Sequence, residues 1–277
     1  MAASQTCTVT GSNGNELVVR IWPAPTATAT VCICHGMGEH GGRYEWLASR
    51  LNAEGWTVIA PDHRGHGRSA GRRGYVERWR QYVDDFHTVI QAVADPALPR
   101  AVLGQSMGGL IAIGYALAYG DTLCALVLTS PLLQLARPLS PLRAATAIVL
   151  SRLLPWFSTP SGLDPNALSR DPAVGTAYVA DPLVHDRVTP RWFTEAQAEM
   201  RRVGEHASEL QPPVLLFVGD ADRITGPAED RAFFDRLSVD HRTIREWPGA
   251  YHELLNETNR EAVLAELLAW LRPRLSA

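Results

Sequence analysis

The sequence predicts an α/β fold in which a mostly parallel sheet is covered by helices on both faces. Short apolar runs alternate with longer segments of helical spacing, which is the pattern of strand–helix–strand units. The 277 residues, 46% of them hydrophobic, can form one large α/β domain or two small ones with a substantial core. A Gly-x-Ser-x-Gly pentapeptide lies between a predicted strand and a predicted helix, as it does in sharp strand-to-helix turns.

The charge of the chain excludes several classes of function. The formal net charge is −3, so nothing indicates a nucleic-acid partner. All 26 basic residues are arginine. The absence of lysine excludes Schiff-base lysines, Ser-Lys dyads and phosphate loops that depend on lysine.

The N-terminal segment and the cysteines favour a cytoplasmic protein. Residues 1–15 have neither a basic start nor an apolar stretch, so we expect no signal peptide, and no window approaches the length of a membrane-spanning helix. Cys32 and Cys34 alternate along an apolar run, which favours small buried side chains over a zinc site. With Cys7 and Cys124 scattered elsewhere, the cysteine usage indicates a reducing compartment.

Five predicted strands and three predicted helices alternate in the first half of the chain. The first helix is indicated by Trp46, Leu47 and Leu51 at helical spacing, and it ends at Gly55. The predicted strands are 16–22, 28–34, 56–60, 101–103 and 124–129, and the predicted helices are 43–54, 82–94 and 110–117.

The pattern changes at Ser130-Pro131. Residues 131–211 contain many prolines and short helical patches without a convincing strand, which favours a helical cap inserted over the sheet. Alternation then resumes with a strand at 214–218, a helix at 227–237, a strand at 242–247 and a closing helix at 260–271. The predicted organisation is a core of residues 1–130 and 212–277 interrupted by a cap of residues 131–211.

The pentapeptide predicts a nucleophilic serine. A tight turn lifts the Ser106 hydroxyl clear of the sheet, and side chains at Gly104 or Gly108 would clash there. The helix that follows directs its N-terminal N–H groups toward an anion formed at the serine.

A serine hydroxyl needs a histidine to take its proton and a carboxylate to orient that histidine. For this type of turn the acid precedes the histidine, and both follow late strands. His252 follows the strand at 242–247, whereas His241 lies at the wrong end of it. Asp222 follows the strand at 214–218, and Asp220 is the competing candidate for the acid.

Two backbone N–H groups are candidates for an oxyanion hole. One belongs to Met107, the residue after the nucleophile. The other is expected from the loop after an earlier strand, where the glycine-rich loop at 35–42 offers Met37.

Five stretches then reveal a family resemblance. They are His35-Gly-Met-Gly-Glu-His-Gly-Gly-Arg-Tyr44, Asp62-His-Arg-Gly-His-Gly-Arg-Ser69, Gly104-Gln-Ser-Met-Gly-Gly109, Gly219-Asp-Ala-Asp-Arg223 and Gly249-Ala-Tyr-His252. Together they resemble the monoacylglycerol lipase and lysophospholipase branch of the α/β-hydrolases, a serine aminopeptidase-like family. The resemblance covers most of the chain outside residues 131–211.

The resemblance implies an α/β-hydrolase fold with an eight-stranded, mostly parallel sheet and a cap formed by residues 131–211. Members of this type hydrolyse monoacylglycerols, lysophospholipids or other small esters without a cofactor. The site residues that the resemblance implies are the Ser106–His252–Asp222 triad and the oxyanion donors Met37 and Met107.

Some positions leave two interpretations open. Glu39 and Arg43 match polar positions of the substrate pocket, and they equally suit an ion pair at the start of a helix. Leu255 replaces a histidine that some monoacylglycerol lipases carry near the glycerol, and Gln105 replaces the histidine usual before the serine. His63 and His66 are interpreted as part of a polar loop rather than a metal site, so no metal is expected.

The expected substrate is a medium-to-long monoacyl ester. About ten acyl methylenes buried against an apolar cap would contribute up to ~8 kcal/mol. Trp156 and Phe157 are expected in the core of the cap, with transient contact to a membrane surface as the alternative. An acyltransferase, an aminopeptidase with Glu39 near the substrate amine, and a binding protein with an inactive triad are the competing functions.

Overall fold

Eight strands form one sheet in the computed structural model, which describes residues 4–276. They are β1 (Gln5–Thr10), β2 (Glu16–Trp22), β3 (Ala29–Cys34), β4 (Trp56–Pro61), β5 (Arg100–Gln105), β6 (Ala125–Thr129), β7 (Val214–Gly219) and β8 (Arg242–Trp247). The order across the sheet is β1-β2-β4-β3-β5-β6-β7-β8. The β1–β2 and β2–β4 pairs are antiparallel and the other pairs are parallel. The predicted eight-stranded, mostly parallel sheet is confirmed.

Helices cover both faces of this sheet. They are α1 (Glu45–Ala53), α2 (Arg80–Val93), α3 (Met107–Tyr119), α4 (Pro141–Leu153), α5 (Pro172–Ala180), α6 (Pro190–Glu205), α7 (Pro227–Arg236) and α8 (Arg260–Leu275). One apolar cluster holds side chains of α2, α3, α6 and α7, and a second cluster on the other face holds side chains of α1 and α8. Because both faces are covered, every residue of β3, β5, β6 and β7 is buried. Within residues 4–276, none of these helices combines the length and the apolar character needed to cross a membrane.

The edge strand β1 is missing from the sequence-based prediction. Its residues alternate between exposed and half-buried positions, so it offers no apolar run. The other strands begin and end within two residues of the predicted bounds. The closing helix α8 runs further than predicted, through Pro273, because its last turn buries Leu275.

The predicted insertion, residues 131–211, lies between β6 and β7. It contains α4, α5 and α6, and it also contains one short antiparallel pair that the sequence does not predict, Thr159–Pro160 with Arg187–Val188. Trp192 and Ala196 of α6 belong to the same apolar cluster as α2 and α3. The last helix of the insertion therefore packs into the main core, and the bounds of the cap stay a prediction.

The expectation that Trp156 and Phe157 lie in the core of the cap is wrong. Their side chains are 52% and 51% exposed. Several apolar residues of α4 and its C-terminal end are also exposed, and we refer to this set as the apolar cap surface. It consists of Leu142, Ile148, Val149, Leu153, Leu154, Trp156 and Phe157.

Candidate active site

Ser106 occupies a strained turn between β5 and α3. Its φ and ψ angles are 54° and −121°, in a region that residues with a side chain rarely adopt. A Cβ on Gly108 would overlap the carbonyl oxygen of Cys34, and a Cβ on Gly104 would overlap that of Gly108. Both glycines are therefore required by close backbone approach, as predicted.

Asp222 and His252 are joined by a short hydrogen bond. Oδ2 of Asp222 lies 2.7 Å from Nδ1 of His252, and both side chains are nearly fully buried. The hydroxyl of Thr225 donates to the same Oδ2 at 2.8 Å. Oδ1 of Asp222 accepts from the N–H groups of Ile224 and Thr225 at 2.7 and 3.1 Å. The carboxylate is thus held in one orientation toward the imidazole.

The electrostatics of this pair favour an ionised Asp222 and a protonated His252. Burial opposes ionisation of Asp222, but the charge and hydrogen bond of His252 outweigh it and lower the pKa of that carboxyl. Burial opposes protonation of His252, but Asp222 outweighs it and raises the pKa of the imidazole. The imidazole is consequently more basic than an ordinary histidine.

Asp220, the competing acid, points elsewhere. Its Oδ1 accepts a hydrogen bond from the N–H of Gly249 at 2.5 Å, at an exposed position. Of the two candidates, Asp222 is the one that the structure brings to His252.

Ser106 and His252 lie in loops at the same edge of the sheet. The N–H of Ser106 donates to the carbonyl of Thr129 at 3.1 Å, and the N–H of Ser130 donates to that of Phe217 at 3.0 Å. These bonds align the carboxyl ends of β5, β6 and β7, and β8 pairs with β7 in register up to its last residue. Within residues 4–276, the Ser106 hydroxyl and Nε2 of His252 make no hydrogen bond to each other; such contacts often tighten only when substrate binds. The use of Ser106, Asp222 and His252 as a catalytic triad stays a prediction.

The two predicted oxyanion donors flank Ser106. Met107 is the first residue of α3, and Met37 lies in the loop after β3. That loop is close to the serine, because a Cβ on Gly36 would stand 3.4 Å from Cβ of Ser106. The N–H groups of Met37 and Met107 donate to no acceptor in the part of the chain that the structure describes, which leaves both able to bind an oxyanion.

Glu39 and Arg43 are committed to other protein groups. Oε1 of Glu39 accepts from the N–H of Gly36 at 2.5 Å and from the hydroxyl of Tyr44 at 2.9 Å, and Oε2 pairs with Arg43. Arg43 also donates to both carboxylate oxygens of Glu253, at 2.7 and 2.8 Å. This arrangement favours the ion-pair interpretation, and contact of either side chain with substrate stays a prediction.

Sequence reasoning missed two residues near this site. Thr225 follows Asp222 by three positions. A hydroxyl at this spacing can donate to the acid within a local turn, so it could have indicated Asp222 from the sequence. Glu253 follows His252 directly, but its partner Arg43 is 210 positions away in the chain. No local pattern could have revealed that contact.

His63 and His66 take part in ring packing and hydrogen bonding. The N–H of His63 donates to Nε2 of His35 at 2.9 Å. The rings of His66 and His185 pack with centroids 4.8 Å apart, and Nδ1 of His66 lies 3.0 Å from the carbonyl oxygen of Arg64. In residues 4–276, no group of three or more histidine, cysteine or acidic residues is arranged to hold a metal ion.

The four cysteines are free, and two of them lie inside the sheet. Cys32 and Cys34 on β3 have no exposed surface, as predicted. Burial raises the pKa of the Cys32 thiol to about 12. Neither thiol is therefore available as a nucleophile or a metal ligand at neutral pH.

Comparison with known proteins identifies the family of this chain. A model of the family described as serine aminopeptidase S33 matches residues 25–259. The chain is 37% identical over 265 residues to a monoacylglycerol lipase of Mycolicibacterium smegmatis, with 94% of each chain covered. It is 33% identical over 273 residues to monoglyceride lipase of Rattus norvegicus, covering 96% of this chain and 89% of the relative. The crystal structure of Paleococcus ferrophilus monoacylglycerol lipase superposes with a TM-score of 0.87 at 35% identity, covering 93% of this chain and 99% of the other.

Proposed function

Because this chain belongs to the serine aminopeptidase S33 family of α/β-hydrolases, we propose that it hydrolyses monoacylglycerol-like or lysophospholipid-like monoacyl esters. The observation that carries the proposal is the 2.7 Å hydrogen bond between Asp222 and His252. It lies at the same edge of the sheet as the strained turn of Ser106. A buried acid that orients an imidazole, at the same sheet edge as a serine on a strained strand-to-helix turn, is the set of groups that acyl transfer requires.

In the proposed reaction, Oγ of Ser106 attacks the ester carbonyl carbon while its proton passes to Nε2 of His252. Asp222 stabilises the imidazolium. The oxyanion accepts from the N–H groups of Met37 and Met107, each worth about 3–4 kcal/mol. The C–O bond then breaks, and the alcohol leaves with the proton from His252. A water molecule then attacks the carbonyl carbon of the acyl-enzyme while His252 takes its proton. The bond to Oγ of Ser106 breaks, His252 returns the proton to Oγ, and the fatty acid is released.

The cap is proposed to set the preference for acyl length. Residues 131–211 lie between β6 and β7 in the chain, and the chain segment that follows β6 meets the nucleophile, since the N–H of Leu132 donates to the carbonyl of Ser106 at 2.9 Å. Burial of an acyl chain there contributes about 0.8 kcal/mol per methylene. The preference between neighbouring chain lengths is therefore shallow.

The family also includes aminopeptidases by name, which hold a substrate amine. A carboxylate must be free to bind that amine. Glu39 and Glu253 are both paired with Arg43, and this favours an ester whose acyl part is uncharged over a peptide with a charged N-terminal amine.

A substrate panel tests the proposal on the full chain. Monoacylglycerols from acetyl to oleoyl, lysophospholipids and aminoacyl amides are assayed side by side, with and without an added alcohol acceptor. The proposal predicts the highest kcat/KM on monoacyl esters of medium to long chain. Preference for aminoacyl amides would make the protein an aminopeptidase, and product routed mainly to the alcohol would make it an acyltransferase. A steady fall from acetyl to decanoyl esters would overturn the role of the cap.

We further propose that the apolar cap surface contacts a membrane transiently. Trp156 and Phe157 are half-exposed, and aromatic side chains favour the interface between lipid and water. Arg143 and Arg152 of α4 are also exposed, which suits anionic lipid headgroups. Such contact would bring the cap to the place where monoacyl lipids reside.

We also propose a cytoplasmic location. The support is that all four cysteines are free and that Cys32 and Cys34 are buried as thiols. Proteins of oxidising compartments tend to use their cysteines in disulfides.

A further inference from the structure

Three charged side chains form a buried cluster between two loops of the candidate site. Glu39 and Arg43 follow β3, and Glu253 follows β8. The side chains of Glu39, Arg43 and Glu253 are only 4%, 11% and 6% exposed. Burial of three charges is costly unless each is paired and hydrogen-bonded.

The hydrogen bonds of this cluster run without interruption from one loop to the other. Both terminal nitrogens of Arg43 bind Glu253, at 2.7 and 2.8 Å, a two-pronged geometry that fixes direction as well as distance. Arg43 also pairs with Glu39, whose other oxygen accepts from the N–H of Gly36 at 2.5 Å. Gly36 directly precedes Met37, and Glu253 directly follows His252. The cluster therefore ties the loop of one oxyanion donor to the loop of the general base.

The cluster carries an unbalanced negative charge, because two carboxylates share one guanidinium. The aromatic side chains around it are neutral: Tyr44 donates to Glu39 at 2.9 Å, and Arg43 stands 5.0 Å from the ring centre of Tyr178. Burial first, and then the nearby Glu39 charge, raise the pKa of both tyrosines, so neither supplies a proton at neutral pH.

This excess charge faces His252. Burial opposes protonation of the imidazole, whereas Asp222 most strongly, and then Glu253 and Glu39, raise its pKa. Thr225 from the loop after β7 is the neutral neighbour, at 3.5 Å from Nδ1. Arg43 is the cation of the cluster and opposes the two glutamates.

We propose that Arg43 and Glu253 are positioning residues, which hold the Met37 loop against the His252 loop, and that the excess carboxylate charge of the cluster stabilises the imidazolium formed as Ser106 attacks. This role rests on the proposed hydrolase function. Neither residue takes the proton itself, which passes from Oγ of Ser106 to Nε2 of His252. The same geometry explains why Glu39 and Arg43 are occupied with protein groups.

The test compares Glu253→Gln and Glu253→Asp with the unchanged full chain. Kcat and KM for a soluble monoacyl ester are measured from pH 5 to 9, together with the rate at which a fluorophosphonate labels Ser106. Glu253→Gln removes the charge and weakens the two-pronged contact, so we expect kcat and the labelling rate to fall about ten- to a hundredfold, KM to change less than threefold, and the acidic limb of the pH profile to move to lower pH. Glu253→Asp keeps the charge and shortens the reach, so we expect a slower enzyme with the acidic limb in its original place.

The matched control is Asp85→Asn. Asp85 pairs with Arg64 through two short hydrogen bonds, at 2.6 and 2.7 Å, and the two side chains are 2% and 11% exposed. This pair joins α2 to the loop after β4 and makes no hydrogen bond to the residues of the candidate site within residues 4–276. We expect Asp85→Asn to lower the melting temperature while kcat and the pH profile stay unchanged.

The proposal is overturned if Glu253→Gln behaves as Asp85→Asn does, with a lower melting temperature and an unchanged kcat, labelling rate and acidic limb. The labelling rate separates this failure from failure of the proposed function. A chain that is labelled at Ser106 yet hydrolyses none of the monoacyl esters contradicts the proposed substrate, and the labelling rates of the Glu253 variants still decide the role of the cluster. A chain whose Ser106 is not labelled overturns both.

Discussion

Thr225 donates its hydroxyl hydrogen bond to Oδ2 of Asp222 at 2.8 Å, and that same oxygen binds Nδ1 of His252 at 2.7 Å. Thr225 is fully buried, so no water replaces its hydroxyl when the residue changes. Thr225 therefore helps to hold the carboxylate of the proposed triad in place.

Thr225→Val tests this support, because valine has nearly the shape of threonine without the hydroxyl. A hydrogen bond to a charged group contributes about 1.5–3 kcal/mol. We expect kcat on a monoacyl ester to fall about tenfold with little change in KM. Thr225→Ser keeps the hydroxyl and is expected to retain most of the activity; equal kcat values for the two variants would contradict the role assigned to Thr225.

Asp222→Asn and Asp220→Asn separate the two candidate acids. An amide at position 222 orients the imidazole of His252 in the wrong tautomer, so we expect kcat to fall about 10⁴-fold. Asp220 accepts a hydrogen bond from the N–H of Gly249 at an exposed turn. We therefore expect kcat of Asp220→Asn to stay within a few-fold of that of the unchanged chain. Steady-state kinetics on the purified variants measures both, and near-normal turnover in Asp222→Asn would move the acid elsewhere.

Gly108→Ala tests the close approach at the turn of Ser106. The added Cβ would overlap the carbonyl of Cys34, and overpacking of this kind costs about 1–3 kcal/mol. We expect a lower free energy of unfolding in urea. Gly204→Ala in α6 is the control, because the nearest atom to its Cβ lies at an ordinary 3.5 Å; it should be neutral or stabilising by up to about 1 kcal/mol. A stable Gly108→Ala protein would contradict the packing of the turn.

The buried histidines predict lower stability at acidic pH. Burial lowers the pKa of His35, His63 and His66, and it lowers that of His185 to about 4. The folded chain holds these rings neutral, so the unfolded chain binds more protons below pH 6.5 and the free energy of unfolding falls as the pH decreases. His252 and Asp230 have the opposite sign, because a raised pKa stabilises the protonated folded state, but they are two groups against four rings.

Urea unfolding at pH 7.5 and pH 5.0 measures this effect. Carboxylates whose pKa is lowered by folding, such as Asp222 and Glu39, lose their contribution only at lower pH, so their titration contributes little between pH 7.5 and 5.0. His66→Asn removes one titrating ring and should flatten the pH dependence. Greater stability at pH 5.0 than at pH 7.5 would contradict the neutral histidines.

A double change, Trp156→Ser with Phe157→Ser, tests the apolar cap surface. We expect sedimentation with anionic phospholipid vesicles to weaken and hydrolysis of a monoacyl ester embedded in them to fall about tenfold, because two interfacial aromatic side chains are lost. Hydrolysis of a soluble short-chain ester and the melting temperature should not change. Equal loss on both substrates would point to a packing defect instead of a lipid contact.

The sequence predicts the sheet well, since its central strands are short apolar runs between turn residues and its helices have clear spacing. It misses β1, whose half-exposed residues resemble a loop. It places Trp156 and Phe157 in the core because apolar residues usually pack inside, whereas the structure leaves them half-exposed. Whether an apolar side chain is buried depends on which other segments pack against it. The local sequence does not show this.

Within the candidate site, the order of Ser106, Asp222 and His252 follows from chain position and strand ends. The distinction between Asp220 and Asp222 does not, because both follow the same strand. Side-chain direction decides it, through the N–H groups that turn Asp222 toward His252. The Arg43–Glu253 contact likewise depends on two loops that meet only after the whole sheet has formed.

The most direct test of the account is covalent labelling of the folded chain by a fluorophosphonate, followed by intact and peptide mass spectrometry. We predict a single adduct on Ser106 that forms rapidly in the unchanged chain and at least a hundredfold more slowly in His252→Ala, since general-base catalysis contributes about 10²–10⁴-fold. An unlabelled Ser106, or equal labelling rates in the two proteins, would contradict the claim that His252 activates this serine.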